Sequence, residues 1–345
     1  MIEQQIVTDR HALLALEEDW TALARTNASL TPFQTPAWLT TWWRHFANGD
    51  LHVLTYRDGQ RLLAVVPCFL HVWNGRRQLT LIGSGISDYL DPLFQQDATE
   101  AVISRLAEHL CRCADWDVCD WQDLSCGTPV RQLAHRSSLT LRASEDQVIS
   151  AIDLPEDFDS YWSARSADLR RNVRRYRAKA EAEAPLQFSV DARPSDALVD
   201  AVLQLHTRRW RAAGQRGMVS ANASAQFLKE ISARFAQCDM TRVFSLRFRD
   251  KIVAAILGFI LNGQFFSYMS GFDPEFESLG FGRTILFETI RSLHHAGVRR
   301  FDFLRGDEDY KSWWGAVTMP RCRLLITRAA SLDRDLGNRA SSDHH

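Results

Sequence analysis

Residues 251–270 read KIVAAILGFILNGQFFSYMS, and this segment decides the fold of the second half of the chain. The almost continuous apolar run from Ile252 to Leu261 predicts a central strand that is covered on both faces. Asn262-Gly263 is a strong hairpin signal, because both central residues of a type I′ turn need positive φ angles. The turn leads into a second predicted strand at residues 265–270. The segment therefore indicates a hairpin in the middle of a sheet.

The elements around this hairpin extend the pattern in both directions. Apolar and polar residues alternate over 244–248, which predicts a half-buried strand before it. After it, a glycine-containing loop leads to a helix predicted over 283–296, with the C-cap residue at Gly297. A strand is predicted over 298–304. The order is three strands linked by hairpins, then loop, helix and strand.

The first half of the chain repeats this order. Strands are predicted over 51–56, 62–72 and 78–82, with turns at Asp58-Gly59 and Asn74-Gly75, then a helix within 97–110 and a strand over 116–124. The repetition predicts an α/β (α+β) fold of two tandem domains, each a mixed, mostly antiparallel sheet flanked by helices. We expect domains at residues 1–150 and 151–330, followed by a polar tail at 331–345.

The composition is that of an ordinary globular protein. The 345 residues are 46% hydrophobic and 24% charged, and the formal net charge is -1. This balance gives no overall attraction to nucleic acid or to an anionic membrane, so any polyanion would bind at a local patch. The start of the chain does not have the pattern of a signal peptide, and the longest apolar run is too short to span a bilayer. We therefore expect a cytoplasmic protein.

The seven cysteines are expected to be scattered reduced thiols, as in a reducing compartment. Four of them form a loose cluster without the paired C-x-x-C spacing of a zinc site and without a nearby histidine pair. Zinc at this cluster is the alternative, but we predict no metal. The four are Cys111, Cys113, Cys119 and Cys126.

A strongly basic helix is predicted over residues 160–183. Its narrow apolar stripe consists of Leu169, Val173 and Tyr176. The remaining surface is either an ordinary solvated face or a docking surface for a phosphate-bearing substrate. The second interpretation is slightly favoured, because acidic residues hardly interrupt the basic ones before Glu181. The basic residues are Arg165, Arg170, Arg171, Arg174, Arg175, Arg177 and Lys179.

The loop after the 265–270 strand is the predicted cofactor site. It lies between a strand and a helix, where backbone N–H groups at a helix start favour a pyrophosphate and glycine permits close approach. An ordinary tight turn is the competing interpretation. The pattern is neither a Rossmann fingerprint nor a Walker A loop. The predicted binding residues are Leu279, Gly280, Phe281, Gly282 and Arg283.

Several motifs resemble the GNAT-type acyltransferases of cellulose and exopolysaccharide synthesis, which are relatives of the Fem-type peptidoglycan aminoacyltransferases. The resemblance implies two tandem GNAT folds. In the second, two neighbouring parallel strands separate, the pantetheine arm of acetyl-CoA or another acyl-CoA enters between them, and the pyrophosphate rests on residues 279–283. The motifs, in chain order, are Phe33–Trp38, Asp88–Asp91, Arg208–Trp210, Gly271–Pro274, the glycine loop, Phe301–Gly306 and Tyr310-Lys311.

One residue departs from the usual GNAT loop. Glu277 stands where the superfamily commonly has Gln or Arg, and a carboxylate beside a pyrophosphate is repulsive. Glu277 is therefore expected to point away from the ligand or to weaken donor binding. The first domain has Gly83-Ser84-Gly85, but a long loop separates it from the next helix. We expect this domain to hold no cofactor and to shape the acceptor pocket.

The implied reaction is attack of an amine or hydroxyl on a thioester carbonyl, which needs a base and an acid. Asp302 is the candidate for acceptor orientation or base, or else a carboxylate that caps backbone N–H groups. Tyr310 is the candidate acid, or else part of an aromatic core. Lys311 and Arg305 would hold a negatively charged group, or else pair with nearby carboxylates.

A further set of residues is expected to contact the substrate. Asp88, Tyr89 and Asp91 suit a hydroxyl-rich sugar, although Asp is also a common turn former. Arg209 and Trp210 are expected to line the acceptor cleft, with a surface position for the arginine as the alternative.

Three functions are compatible with these features. The first is acyl transfer from coenzyme A to an amine or hydroxyl of a small-molecule or saccharide acceptor. The second is a Fem-like aminoacyltransferase that uses charged tRNA and contacts it through the basic helix. The third is a non-catalytic assembly or regulatory protein of polysaccharide synthesis. The glycine loop favours the first, and the sequence gives no oligomeric state.

Overall fold

The structure is a computed structural model that describes residues 1–136, 138–212, 214 and 222–328. The chain forms two compact units. The first comprises Met1–Gln147 and the described residues from Pro320 onward, and the second is Val148–Met319. The sequence placed residues 320–330 in the second domain, whereas the described part of this segment belongs to the first unit. The predicted polar tail at 331–345 lies outside the described residues.

The first unit begins with helices and then builds most of its sheet. Three short 3₁₀ turns lie at Pro32–Gln34, Gln96–Ala98 and Pro129–Gln132. The other elements are β1 (Ile2–Val7), α1 (Arg10–Ala15), α2 (Glu17–Arg25), α3 (Pro36–Phe46), β2 (Asp50–Asp58), β3 (Arg61–Trp73), β4 (Arg76–Leu81), β5 (Leu93–Phe94), α4 (Thr99–Arg112), β6 (Val118–Ser125), α5 (Leu133–Arg136) and β7 (Leu139–Asp153), whose last residues lie in the second unit.

The second unit carries the hairpin segment and the glycine loop. A 3₁₀ turn at Pro274–Leu279 forms part of that loop. The elements are α6 (Phe158–Ser163), α7 (Ala167–Glu183), β8 (Leu186–Asp191), α8 (Asp196–Ala212), α9 (Asn222–Gln237), β9 (Thr241–Phe248), β10 (Lys251–Leu261), β11 (Gln264–Phe272), α10 (Phe281–His295), β12 (Arg300–Arg305) and α11 (Asp309–Trp313), followed by β13 (Val317–Arg328), most of which lies in the first unit.

The two units have the same strand order. In the first unit it is β1-β2-β3-β4-β6-β13, with β5 beside β3. In the second it is β8-β9-β10-β11-β12-β7. Neighbours are antiparallel except β4 with β6 and β11 with β12, which are parallel. The predicted mixed, mostly antiparallel sheets flanked by helices are therefore confirmed.

The last strand of each sheet comes from an unexpected part of the chain. β13, the final strand, pairs with β6 in the first unit from Arg321 to Thr327. β7, which follows β6 in sequence, instead pairs with β12 in the second unit through residues 149–153. Each half of the chain thus supplies a strand to a sheet made mainly by the other half.

The basic helix predicted over residues 160–183 is two helices. α6 ends at Ser163 and α7 begins at Ala167. Ser166 separates them because its side chain accepts a hydrogen bond from the Leu169 N–H at 3.1 Å, which caps α7. Leu169 and Val173 are buried as expected, in the core that α7 and α10 share with the sheet of the second unit. Among the described residues, no helix combines the length and apolarity needed to cross a bilayer.

Helix α8 lies tightly on β11, and one glycine makes this packing possible. A Cβ atom built on Gly271 would lie 2.3 Å from the His206 backbone nitrogen and 2.4 Å from the Leu205 carbonyl carbon. These are backbone atoms of α8, so they cannot yield by changing a rotamer. The absence of a side chain at this position therefore sets the distance between helix and strand.

We predict that Gly271→Ala lowers the free energy of unfolding by about 1–3 kcal/mol, because α8 must move away from β11. Urea denaturation measures the change. The matched control is Gly127→Ala, where an added Cβ meets no atom within 4 Å; this change should stay within about 0.5 kcal/mol of the wild type. Equal effects of the two substitutions would contradict the packing argument.

Candidate functional site

The candidate site lies in the second unit, where two parallel strands separate. β11 and β12 pair at Gln264↔Arg300, Phe265↔Phe301 and Phe266↔Asp302. β11 continues to Phe272 without further pairing to β12. A register shift in β10 between Leu257 and Phe259 lies beside the point of separation. The two strands therefore open a gap in the sheet, as the resemblance to GNAT folds implied.

A pocket of about 240 Å³ occupies this region. Ser267 and Ser270 of β11 and Phe303 of β12 lie on its wall, and the glycine loop contributes Gly280, Gly282 and Arg283. Phe281 and Glu277 also line it. Four of the five predicted cofactor-binding residues therefore border one pocket. The fifth, Leu279, is buried in the core of the second unit.

The start of the loop is fixed by Asp273. Its carboxylate accepts a hydrogen bond from the Glu275 N–H at 3.2 Å and pairs with Arg208 at 2.8 Å. The Asp273 N–H donates to the Val253 carbonyl of β10 at 2.8 Å. Asp273 thus holds the loop against both the central strand and α8. The ion pair between Arg208 and Asp273 therefore joins the Arg208–Trp210 motif to the Gly271–Pro274 motif.

Gly280 ends the 3₁₀ turn and starts α10. Its φ angle is +60°, and an added Cβ would lie 2.5 Å from the ring of Tyr176 on α7. Both the backbone conformation and the close aromatic contact therefore require glycine. Glycine at this position also serves the packing of α7, so it is not by itself a sign of phosphate binding.

The N-terminus of α10 offers hydrogen-bond donors to the pocket. First-turn N–H groups have no partner within a helix, and here the N-cap Gly280 has no side chain to supply one. The N–H groups of Phe281 and Gly282 are of this kind, while Arg283 N–H bonds to the Gly280 carbonyl at 3.1 Å. The positive end of the helix dipole adds to this, so the edge of the pocket suits an anion.

Two arginines beside the pocket lie over aromatic rings. The guanidinium of Arg283 is 5.3 Å from the Trp313 ring centre and 5.8 Å from that of Tyr176. The guanidinium of Arg209 is 5.5 Å from the Phe272 ring centre. Such contacts hold a charged group in place while it remains able to meet a ligand.

Tyr310 lines the same pocket and lies 5.7 Å from the Arg209 guanidinium. Burial raises the pKa of its phenol, and Arg209 partly opposes this. The phenol is therefore protonated throughout the neutral range and is able to donate a proton. Trp210, the neighbour of Arg209, does not line the pocket; its indole Nε1 is buried without a hydrogen-bond partner among the described residues.

His206 is a polar residue near the site to which the sequence gave no role. Its Nδ1 lies 3.0 Å from the Ser270 carbonyl oxygen, and because a carbonyl only accepts, Nδ1 carries the hydrogen. The buried Nε2 has no partner among the described residues. Burial lowers the pKa of the ring, so the neutral form with an open Nε2 lone pair prevails at neutral pH. In the sequence, the position of His206 one helical turn before Trp210 was the signal that could have indicated its place near the site.

Three predicted residues lie outside the pocket lining and make local contacts. Asp302 is buried, and its Oδ1 accepts from the Leu304 N–H at 2.7 Å, which is the capping role considered as its alternative. Lys311 is also buried, and its Nζ donates to the Arg305 and Gly306 carbonyls at 2.8 and 2.9 Å and pairs with Glu308 at 2.8 Å. Catalytic roles for Asp302 and Lys311 and ligand binding by Arg305 stay predictions.

The predicted sugar contacts lie in the first unit, whereas every residue of the pocket lining is in the second. The Asp91 carboxylate accepts hydrogen bonds from the Ser125 N–H at 3.0 Å and the Ser125 hydroxyl at 2.8 Å, and it pairs with Arg321 at 2.9 Å. Arg321 also covers the ring of Tyr89 at 4.6 Å. Asp88 is buried. These contacts give Asp91 a structural role, and substrate contact stays a prediction.

The basic face of α7 divides into paired and open arginines. Arg177 pairs with Glu181 and with the buried Glu288 of α10, and Arg171 pairs with Asp168. Arg174 and Arg175 are exposed, and no carboxylate of the described residues pairs with either of them. Lys179 donates to the Ser278 carbonyl of the glycine loop at 3.3 Å. Part of this helix is therefore structural and part is open basic surface near the loop.

Comparisons with known proteins agree with this site. Residues 167–312 match the family model described as "Acetyltransferase (GNAT) domain", and they include the separated strands and the glycine loop. The matched residues make up most of the second unit. No curated protein matches the chain in sequence.

Solved structures resemble the chain over nearly its full length. The crystal structure of FemX has a TM-score of 0.66 at 10% identity, with 93% of this chain and 96% of that one covered. A conserved protein of unknown function from Bacteroides thetaiotaomicron has 0.61 at 13%, covering 94% and 100%. The C-terminal domain of a putative lysylphosphatidylglycerol synthetase from Agrobacterium fabrum has 0.56 at 15%, covering 92% and 93%. At these identities the likeness concerns the fold.

We predict that Asp91→Ala lowers the free energy of unfolding by about 2–4 kcal/mol, since Arg321 loses the carboxylate that neutralises it in a buried position. Urea denaturation provides the measurement. Asp97→Ala is the control, because its carboxylate pairs with Arg61 at an exposed position and should matter much less. A fully stable Asp91→Ala protein would show that Asp91 does not have this structural role.

Proposed function

We propose that the second unit binds an acyl-CoA in the pocket between β11 and β12 and transfers the acyl group to an amine or hydroxyl acceptor. The observation that carries this proposal is the separation of the two strands directly beside an uncapped helix start. In this arrangement the pantetheine arm follows the part of β11 that does not pair with β12, and the pyrophosphate meets the N–H groups of Phe281 and Gly282. The match of residues 167–312 to the GNAT domain supports it.

The reaction requires two proton transfers, and a residue of the pocket lining is able to supply one of them. The acceptor nitrogen or oxygen attacks the thioester carbonyl, the carbon–sulfur bond breaks, and coenzyme A leaves as a thiolate. We assign Tyr310 as the donor of a proton to that thiolate, because it lines the pocket and its raised pKa keeps it protonated. The proton of the nucleophile passes to solvent, because the Nε2 of His206, although it has no partner among the described residues, is buried and His206 does not line the pocket.

The polysaccharide context, the saccharide acceptor and the cytoplasmic location rest on the sequence and its resemblance. They stay predictions. The role of the first unit in shaping the acceptor site is likewise a prediction.

Calorimetric titration with acetyl-CoA tests the donor. We expect the wild type to bind, and Arg283→Gln to bind about tenfold more weakly, because it loses a charge-assisted contact to phosphate. Arg247→Gln is the matched control, since Arg247 lies on β9 outside the pocket lining and donates to the Asp250 carbonyl. A folded wild type that binds no acetyl-CoA would refute the acyl-CoA proposal.

Removal of the Glu277 carboxylate is expected to strengthen donor binding, whereas Arg283→Gln is expected to weaken it. Glu277 lines the pocket and is exposed, so its carboxylate repels an anionic donor through solvent. We expect Glu277→Gln to raise the affinity for coenzyme A about two- to fivefold at low salt, with the gain shrinking as salt increases. Glu275→Gln, in the same turn but outside the pocket lining, should change the affinity less. No gain in Glu277→Gln would mean that the pyrophosphate does not bind near this loop.

A charged-tRNA donor is the second candidate, and the exposed Arg174 and Arg175 on α7 favour it. Filter binding of aminoacyl-tRNA over a range of salt concentrations distinguishes the two donors. A tRNA donor predicts affinity that falls steeply with salt, and a smaller slope in the Arg174→Gln, Arg175→Gln double variant. A protein that binds neither donor would favour the non-catalytic assembly function.

A further inference from the structure

Two histidines and a cysteine meet in the first unit, and one of the histidines is 57 residues away from the other in sequence. His52 lies on β2 and is buried, His109 lies in the last turn of α4, and Cys113 directly follows that helix. One potential ligand atom from each lies within 4.8 Å of the other two. The Nε2 atoms of His52 and His109 are 3.3 Å apart. This cluster has no part in the acyl-transfer site, which belongs to the second unit.

Local structure explains the convergence. His109 and Cys113 are four residues apart, and the Cys113 N–H donates to the His109 carbonyl at 2.8 Å. This spacing places both side chains on one face at the end of α4. Strand β2 then brings His52 against that face. The sequence did not reveal the pair because 57 residues separate the two histidines.

The distances match those between ligands of one zinc ion. With Zn–N of about 2.0–2.1 Å and tetrahedral geometry, two ligating nitrogens lie about 3.3–3.4 Å apart. The observed separation of the two Nε2 atoms is 3.3 Å. The Cys113 thiol donates a hydrogen bond to Oδ2 of Asp115 at 3.6 Å. The thiol releases this hydrogen when it binds a metal as a thiolate.

The groups around the cluster support metal binding. Asp115 follows Cys113 by two residues and is exposed, so the cluster has an open route for an ion, although its carboxylate lies outside the group of mutually close ligand atoms. The Gln4 side-chain amide lies 2.8 Å from Nδ1 of His109. Turned to present its oxygen, it accepts the Nδ1 hydrogen and orients the ring, as partners of ligating histidines commonly do.

We propose that His52, His109 and Cys113 bind one Zn²⁺ ion in the first unit. Two imidazoles and a thiolate select zinc over magnesium or calcium, which prefer oxygen ligands. The three ligands come from β2 and the end of α4, so the ion ties these two elements together. The proposal differs from the sequence-based expectation of no metal, which considered only the spacing of the cysteines and stays a prediction.

The test uses the full chain after its metal has been removed with a chelator. Equilibrium dialysis against Zn²⁺ should give one tightly bound ion per chain. Cys113→Ser should weaken binding by at least about 100-fold, since loss of an outer-shell partner alone costs up to that much. Cys111→Ser is the matched control: it is also a half-exposed cysteine of α4, and its sulfur lies near Ser138 and outside the cluster. It should bind zinc as the wild type does.

A spectroscopic readout identifies the ligands. Co²⁺ in the wild type should show the strong visible bands of tetrahedral coordination and a sulfur-to-metal charge-transfer band. The charge-transfer band should disappear in Cys113→Ser and persist in Cys111→Ser. Zinc should also raise the unfolding temperature of the wild type and not that of His109→Gln, because the ion stabilises only a folded site.

Two outcomes would overturn the proposal. One is a folded wild type that binds no zinc at one ion per chain. The cluster would then be a pair of neutral histidines joined by an N–H···N hydrogen bond. The other is Cys113→Ser binding zinc as tightly as the wild type, which would place the ion elsewhere. Since acetyl-CoA binding is measured separately, neither outcome affects the proposed acyl transfer.

Discussion

The site in the second unit depends on an interrupted hydrogen-bond ladder. A strand inside a sheet normally satisfies its backbone groups on both sides, and unpaired groups must find other partners. β11 has β12 as a partner for only three residues, and this pairing does not continue to Phe272. His206 takes one of the carbonyls on this stretch, that of Ser270. In the proposed function, a linear ligand with amides pairs with this part of β11 as an added strand would.

The two arginines beside this part of β11 are held in the same way, because each guanidinium lies over aromatic rings. Arg209 lies over Phe272 and Tyr310, and Arg283 lies over Trp313 and Tyr176. A guanidinium on an aromatic face retains its outward N–H groups while its side chain loses little further freedom on binding. The aromatic residues of this region, which resemble ordinary core residues in the sequence, therefore also position charge.

Sequence patterns predicted the hairpins, the duplicated order and the glycine loop because these depend on local rules. Alternation, turn dipeptides and strand–loop–helix context are all visible within a few residues. Side-chain roles were harder to predict. Lys311 and Asp302 bind carbonyl and N–H groups of the turn after β12, and Asp91 binds Ser125 and Arg321. A charged residue in a motif has the same appearance whether it meets a substrate or the backbone, and only the folded chain distinguishes the two.

The exchange of β7 and β13 makes neither unit an independent segment of the chain. The sheet of the first unit receives its final strand only after the whole second unit has been synthesised, and until then β6 has an exposed edge. Such an edge is a template for pairing with other chains. The contact between β6 and β13 joins residues about 200 positions apart, a separation that slows folding because the loop must close first. Because each sheet takes a strand from the other half of the chain, neither half can complete its sheet by itself.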